Sequence, residues 1–153
     1  MNIFILDKDV KKCAQYHNDK HVVKMILETA QLLCTAHWEN GSEAPYKSTH
    51  KNHPCGIWAR ESKQNYIWLC RLGLALCREF EFRRGKEHKT KEVIKWCLTN
   101  VPKLDKLGLT EFPLAMPDEY KTDDPVESYR NYYLNDKRHL ASWEKRGQPD
   151  WYK

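Results

Sequence analysis

Gln15-Tyr16-His17-Asn18-Asp19-Lys20-His21-Val22-Val23-Lys24-Met25-Ile26-Leu27-Glu28-Thr29-Ala30-Gln31-Leu32-Leu33-Cys34 is the stretch whose periodicity decides the fold. Wound as a helix, it is apolar around most of its circumference. His17, His21, Lys24, Glu28 and Gln31 fall within one sector of about 80°. Val22, Val23, Ile26, Ala30 and Leu33 lie opposite, with Met25, Leu27 and Leu32 on the flanks. A surface helix has the reverse proportions, a broad polar face and an apolar stripe. The pattern therefore predicts a buried helix whose polar row lines a cleft or a buried network. Two imidazoles, an ammonium, a carboxylate and an amide in one row suit acid–base chemistry or anion binding.

Outward from this helix the chain reads as mainly α. A loop from Glu39 to Asn52 precedes a long helix from Pro54 to Arg84, bounded by a proline at its start and Gly85 at its end. A third helix covers Lys91 to Asn100, and a last one Pro125 to Lys145. Between them Val101 to Pro125 holds four prolines and no period, as expected of an ordered connector. Ile3 to Leu6 reads as a short buried strand ending at Asp7. The expected fold is a compact, α-rich single domain over residues 1–153 with a short extended N-terminal segment.

Composition narrows the class. With 41% hydrophobic residues and six tryptophans the chain is no disordered tail. No run of about 18 apolar residues exists to span a membrane. MNIFILDKD lacks the basic and apolar regions of a signal peptide. Six cysteines come without a C-x-x-C pair, so reduced thiols in the cytoplasm are expected. Cys13 and Cys55, near histidines, are the two with any claim to nucleophilic chemistry.

Charge is the stronger pointer. Of the net +5, much gathers in Arg83–Lys91 and in Asp136–Arg146, the second interleaved with Tyr129, Tyr132, Tyr133, Trp143, Trp151 and Tyr152. Positive charge tracks phosphates and aromatic faces stack on bases. Arg83, Arg84, Lys86, Lys89, Arg130, Lys137, Trp151 and Tyr152 are the candidate DNA-binding residues. The plainer alternative is a solvated basic face with its aromatics turned inward. Tyr46 to Pro54 feeds polar side chains into a helix start, where His50, Lys51 and His53 would favour an anion. Ordinary capping by Asn52 or His53 fits equally. Arg60 and Gln64 could extend such a site. Asn65, on an apolar face, braces Glu28 or His21, or ties down a loop. Glu79 and Arg83 form an i, i+4 pair.

A metal is not expected. His17 and His21 have zinc-like i, i+4 spacing, and Glu28, His50 and His53 could add to them. However, Asn18 stands where the zinc-protease motif has its glutamate, and Lys20 and Lys24 repel a cation. No cofactor is called for either.

The closing Pro149-Asp150-Trp151-Tyr152-Lys153 resembles the Pro-x-Trp-Tyr-Lys tail of the phage pyrimidine-dimer DNA glycosylases of the endonuclease V type. The order of parts is also similar: an extended N-terminus, a helix with His and Glu, a long central helix with a basic end, a proline-containing connector and an aromatic-basic tail. The style is that of a small tailed-phage protein. The resemblance implies a compact helical enzyme acting on duplex DNA by base flipping. It also implies the N-terminal α-amine as nucleophile, assisted by a glutamate matching Glu28, with His21, Lys24 and Arg60 facing the DNA backbone. Family members expose a small residue by removing the initiator methionine, whereas Asn2 follows Met1 here.

The leading expectation is a DNA-acting, glycosylase-like enzyme, with Glu28 as the carboxylate and His21 as a general acid or base. His17, Lys24, Gln31, His50, Lys51, His53, Arg60 and Gln64 would bind phosphate or substrate. The alternatives are a non-enzymatic viral binder that sequesters a nucleotide or nucleotide-derived signal, and a metal-dependent nuclease.

Overall fold

A computed structural model describes all residues 1–153. Six α-helices form the body: α1 (Val10–Tyr16), α2 (Asp19–Glu39), α3 (Pro54–Glu61), α4 (Lys63–Arg84), α5 (Lys91–Thr99) and α6 (Pro125–Leu134). The two long helices, α2 and α4, pack on each other, with α1 against α4, α3 against both, and α5 across both. Where α2, α4 and α5 meet, Gly73 leaves no room for a side chain. A Cβ there would lie 2.9 Å from Ile94 Cδ1 and 3.0 Å from Thr29 Cγ2. No helix is long and apolar enough to cross a membrane.

The helical class agrees with the sequence pattern, and its boundaries are corrected by local capping. The 15–34 helix is two elements. Asn18 leaves helical geometry and its side chain accepts the His21 N–H, so α2 starts at Asp19 and His17 belongs to the end of α1. The 54–84 helix breaks at Ser62, whose hydroxyl accepts the Asn65 N–H and starts α4 anew. The last helix stops at Leu134 rather than Lys145. Asn135 turns the backbone, and a 3₁₀ turn (Arg138–Leu140) follows.

Ile3–Leu6 is buried, but the expected strand does not form: no segment pairs with it, and the Leu6 N–H turns back to Phe4 O at 3.0 Å. Side chains satisfy its backbone instead. Arg130 Nε donates to Leu6 O at 2.9 Å, the Cys13 thiol to Phe4 O at 3.1 Å, and Ile3 N–H donates to Asn2 Oδ1 at 2.8 Å. Buried polar groups must be paired, and here side chains, from the neighbouring Asn2 to the distant Arg130, meet the requirement that a sheet would otherwise meet.

A second buried network closes the other end of the bundle. Arg83, expected to face DNA, is buried: Nε donates to Glu79 at 2.7 Å and Nη1 to Asp19 at 3.0 Å, with further bonds to the carbonyls of His17 and Gln15. Arg146 reaches back to both Glu79 oxygens at 3.1 and 2.9 Å. The expected local Glu79–Arg83 pair is thus the centre of a clamp joining α1, α2, α4 and the C-terminal segment. Asn65 ties down a loop: its amide donates to Trp58 O and Thr110 Oγ1, and its oxygen accepts Thr110 N–H.

Candidate active site

Glu28 sits at the floor of a cleft of about 140 Å³, walled by the start of the chain, Phe4, His21, Lys24 and, from the C-terminal part, Tyr132 and Lys137. Its side chain is only 9% exposed, and it has few partners for a buried carboxylate. Oε1 lies 3.4 Å from the Met1 amine and accepts Asn2 N–H at 3.1 Å; Oε2 lies 3.8 Å from the Lys24 ammonium. Neither ammonium contact is a tight hydrogen bond, so acceptor capacity remains on the cleft side.

The start of the chain is pinned over this carboxylate. Asn2 Nδ2 donates to Ala115 O at 2.8 Å and Asn2 Oδ1 accepts from Ile3 N–H, while the Tyr129 hydroxyl, 3.4 Å from that oxygen, donates to Pro113 O and accepts Ala115 N–H at 3.2 Å. The connector and α6 thereby fix the backbone nitrogens of Met1 and Asn2. Sequence patterning carried no signal for this placement, because nothing local in Met1-Asn2 specifies Ala115 or Tyr129.

His21 lies two turns before Glu28 on the same face of α2, its ring stacked on Phe4 with centroids 4.3 Å apart. Burial above all, then the charges of His17, Lys137, Lys24 and His139, push its pKa down to about 2. It is therefore neutral at physiological pH and a poor proton shuttle, which corrects the expectation based on an unperturbed imidazole. His17, expected beside it in the stripe, is fully buried and faces away from the cleft. Its Nδ1 sits 2.6 Å from Cys13 O, and burial lowers its pKa to about 4. Cys13 and Cys55 are buried thiols pushed up to about 12 by desolvation, so neither presents a thiolate. All six cysteines are free and buried.

Further along α2, Gln31 and Leu27 border a shallow depression closed by the 45–49 loop, which Thr35 fastens through Thr49 N–H and O. His53 caps α3, its Nδ1 accepting Cys55 N–H, and it lies near enough to feel the charges of the Met1 amine and Glu28. His50 and Lys51 are exposed beside it, His50 with φ +52°. Arg60 and Gln64 brace loops, donating to Lys51 O and accepting Gly108 N–H respectively, so they do not line the cleft.

The basic and aromatic candidates divide. Arg84, Lys86 and Lys89 are exposed, and Lys137 stands at the cleft with its ammonium 5.0 Å over the Tyr132 ring. Arg130 is spent on Asp7 and Leu6 O, between the Tyr16 and Trp151 rings. Tyr152 is buried and Trp151 half-buried, packed on Trp143 and Tyr133. Arg83, Arg130 and Tyr152 therefore hold the fold rather than face a ligand. Tyr132, noted only as an aromatic in the sequence, proves to be part of the cleft wall, and Tyr133 stands behind it, buried, with its hydroxyl against His21 Nδ1. No three His, Cys, Asp or Glu side chains come together at metal-ligand spacing.

No curated protein and no solved structure matches the chain. The family model described as pyrimidine dimer DNA glycosylase matches residues 1–93, which hold His21, Lys24, Glu28 and the first four helices. With well over half its length under that match, the chain belongs to the pyrimidine dimer DNA glycosylase family.

Proposed function

We propose that this chain excises damaged pyrimidines from duplex DNA, cleaving the N-glycosidic bond by attack of the amine at the start of the chain on the sugar C1′. The observation that carries this reading is the Met1 amine held 3.4 Å from a buried carboxylate at the floor of a cleft. Glu28 is placed to accept a proton from the attacking amine and to stabilise positive charge developing on the sugar as the base departs. Loss of the base leaves C1′ joined to the amine as an imine, which water later releases. Asn2 N lies 3.1 Å from the same Oε1, so the carboxylate serves whether Met1 or Asn2 supplies the first nitrogen. Neutral His21, Lys24 and Lys137 line the same cleft and suit the flanking phosphates. Lys86, Lys89 and Arg84 extend the positive surface beyond it.

The test is reaction with a duplex carrying a single pyrimidine dimer in the presence of borohydride, which reduces the imine to a stable amine. The expected product is a covalent protein–DNA adduct whose peptide map places the link on the first residue. Base release without a trapped adduct would point to water as the nucleophile. Tight binding of free nucleotide with no duplex binding would replace the enzyme reading with a nucleotide-sequestering one.

A further inference from the structure

We infer that Tyr133, which lies outside the region matched by the family model, is a positioning residue that fixes His21 as the tautomer with its proton on Nε2. The cleft is thereby given a neutral N–H donor. Its role in substrate binding rests on the glycosylase reading above; the tautomer itself does not.

The assignment follows from counting donors and acceptors around one buried hydroxyl. Tyr133 is 1% exposed, and its oxygen has two neighbours, Asn18 N at 3.3 Å and His21 Nδ1 at 2.6 Å. Asn18 N–H can only donate, so the hydroxyl oxygen accepts there. If His21 Nδ1 carried a proton, the oxygen would accept twice and its own hydrogen would be left buried without an acceptor, which a folded protein avoids. With Nδ1 bare, the hydroxyl donates to it and all three groups are satisfied. The imidazole proton then sits on Nε2, which bonds nothing within the protein while the ring itself lines the cleft. Phe4, stacked at 4.3 Å, holds the ring plane, and the Asn18 side chain anchors the His21 backbone N–H at 2.9 Å.

His17 provides an internal contrast. Its Nδ1 faces the Cys13 carbonyl at 2.6 Å, and a carbonyl only accepts, so there the proton is on Nδ1. Two histidines four residues apart are locked in opposite tautomers, and the one at the cleft presents the donor. A donor at that position suits a phosphate or sugar oxygen and would repel nothing through charge. In a cleft that also holds a carboxylate and the amines of Met1, Lys24 and Lys137, a neutral donor adds directionality without neutralising Glu28.

The experiment is long-range ¹H–¹⁵N correlation NMR on the full, uniformly labelled chain at neutral pH, with His21→Gln used to assign the His21 ring. Nδ1 should resonate as an unprotonated ring nitrogen and Nε2 as a protonated one, with the opposite pattern at His17. A protonated Nδ1 at His21 overturns the inference without any need for a tyrosine variant. Tyr133→Phe should redistribute the His21 tautomers and raise KM for a dimer-containing duplex about tenfold, with a smaller change in kcat. An unchanged His21 spectrum and unchanged KM in a folded Tyr133→Phe protein would remove Tyr133 from this role. If the wild-type tautomer is as assigned but no duplex is cleaved, the tautomer stands and the glycosylase reading falls.

Discussion

Glu28 and Glu79 are both glutamates on long central helices, both nearly closed off from solvent, and they are treated oppositely by their surroundings. Glu79 is saturated. Arg83 and Arg146 supply three N–H donors at 2.7 to 3.1 Å across its two oxygens. Glu28 receives one backbone N–H at 3.1 Å and two looser ammonium contacts at 3.4 and 3.8 Å. Burial alone does not separate a structural carboxylate from a reactive one; the completeness of its partners does. A carboxylate held by two guanidinium groups at tight distances has little acceptor capacity left, whereas Glu28, with one hydrogen bond and two loose ion pairs, keeps more of its own free.

The sharpest way to break this contrast is to neutralise each site in turn. Glu28→Gln should lower turnover on a dimer-containing duplex by about 10²–10⁴-fold, while duplex affinity and the thermal midpoint stay close to wild type. A Glu28→Gln enzyme with normal turnover would reduce the cleft to a binding site. The clamp should answer in stability instead. Arg83→Ala leaves Glu79 and Asp19 short of a buried partner and should cost about 3–5 kcal/mol in denaturant unfolding. Should that variant keep its stability but lose duplex affinity, the two regions would have been assigned the wrong way round.

A smaller effect comes from pH. His17 and His21 have pKa values lowered to about 4 and about 2 in the folded chain. Both titrate near 6.5 once unfolded. Between those limits the unfolded state binds more protons, so stability is fully present above about pH 6.5 and declines as the solution is acidified. The decline approaches about 1.4 kcal/mol per pH unit for each histidine. His21→Gln should flatten the acid limb of a Tm–pH curve, and an unaltered slope would mean that His21 is not desolvated in the folded state.

The sequence pattern and the structure agree on the helical class and on the stripe that brings His21, Lys24 and Glu28 to one cleft, because 3.6-residue periodicity is a local property. Breaks in the helices were less legible. Hydrophobic periodicity runs straight through Asn18 and Ser62, and only the capping geometry reveals that the helix ends and restarts there. Basic runs were the least reliable guide. Arg83 and Arg84 are adjacent in sequence, but a 100° turn puts one in the core and the other in solvent. The partners that decide these cases, Arg146 for Glu79, Tyr133 for His21 and Ala115 for Asn2, lie tens of residues away and leave no trace in local spacing.

The Asn2–Ala115 bond joins residues separated by 113 positions. Such a contact forms only after a long loop has closed, and the entropy of that closure delays it relative to helix formation. The amine and its carboxylate are therefore expected to come into register late, when the connector and α6 dock on an already formed helical body. A nascent or partly folded chain carries Glu28 on its helix without the pinned nitrogen above it. On the mechanism proposed above, competence to break a glycosidic bond is thus coupled to completion of the fold.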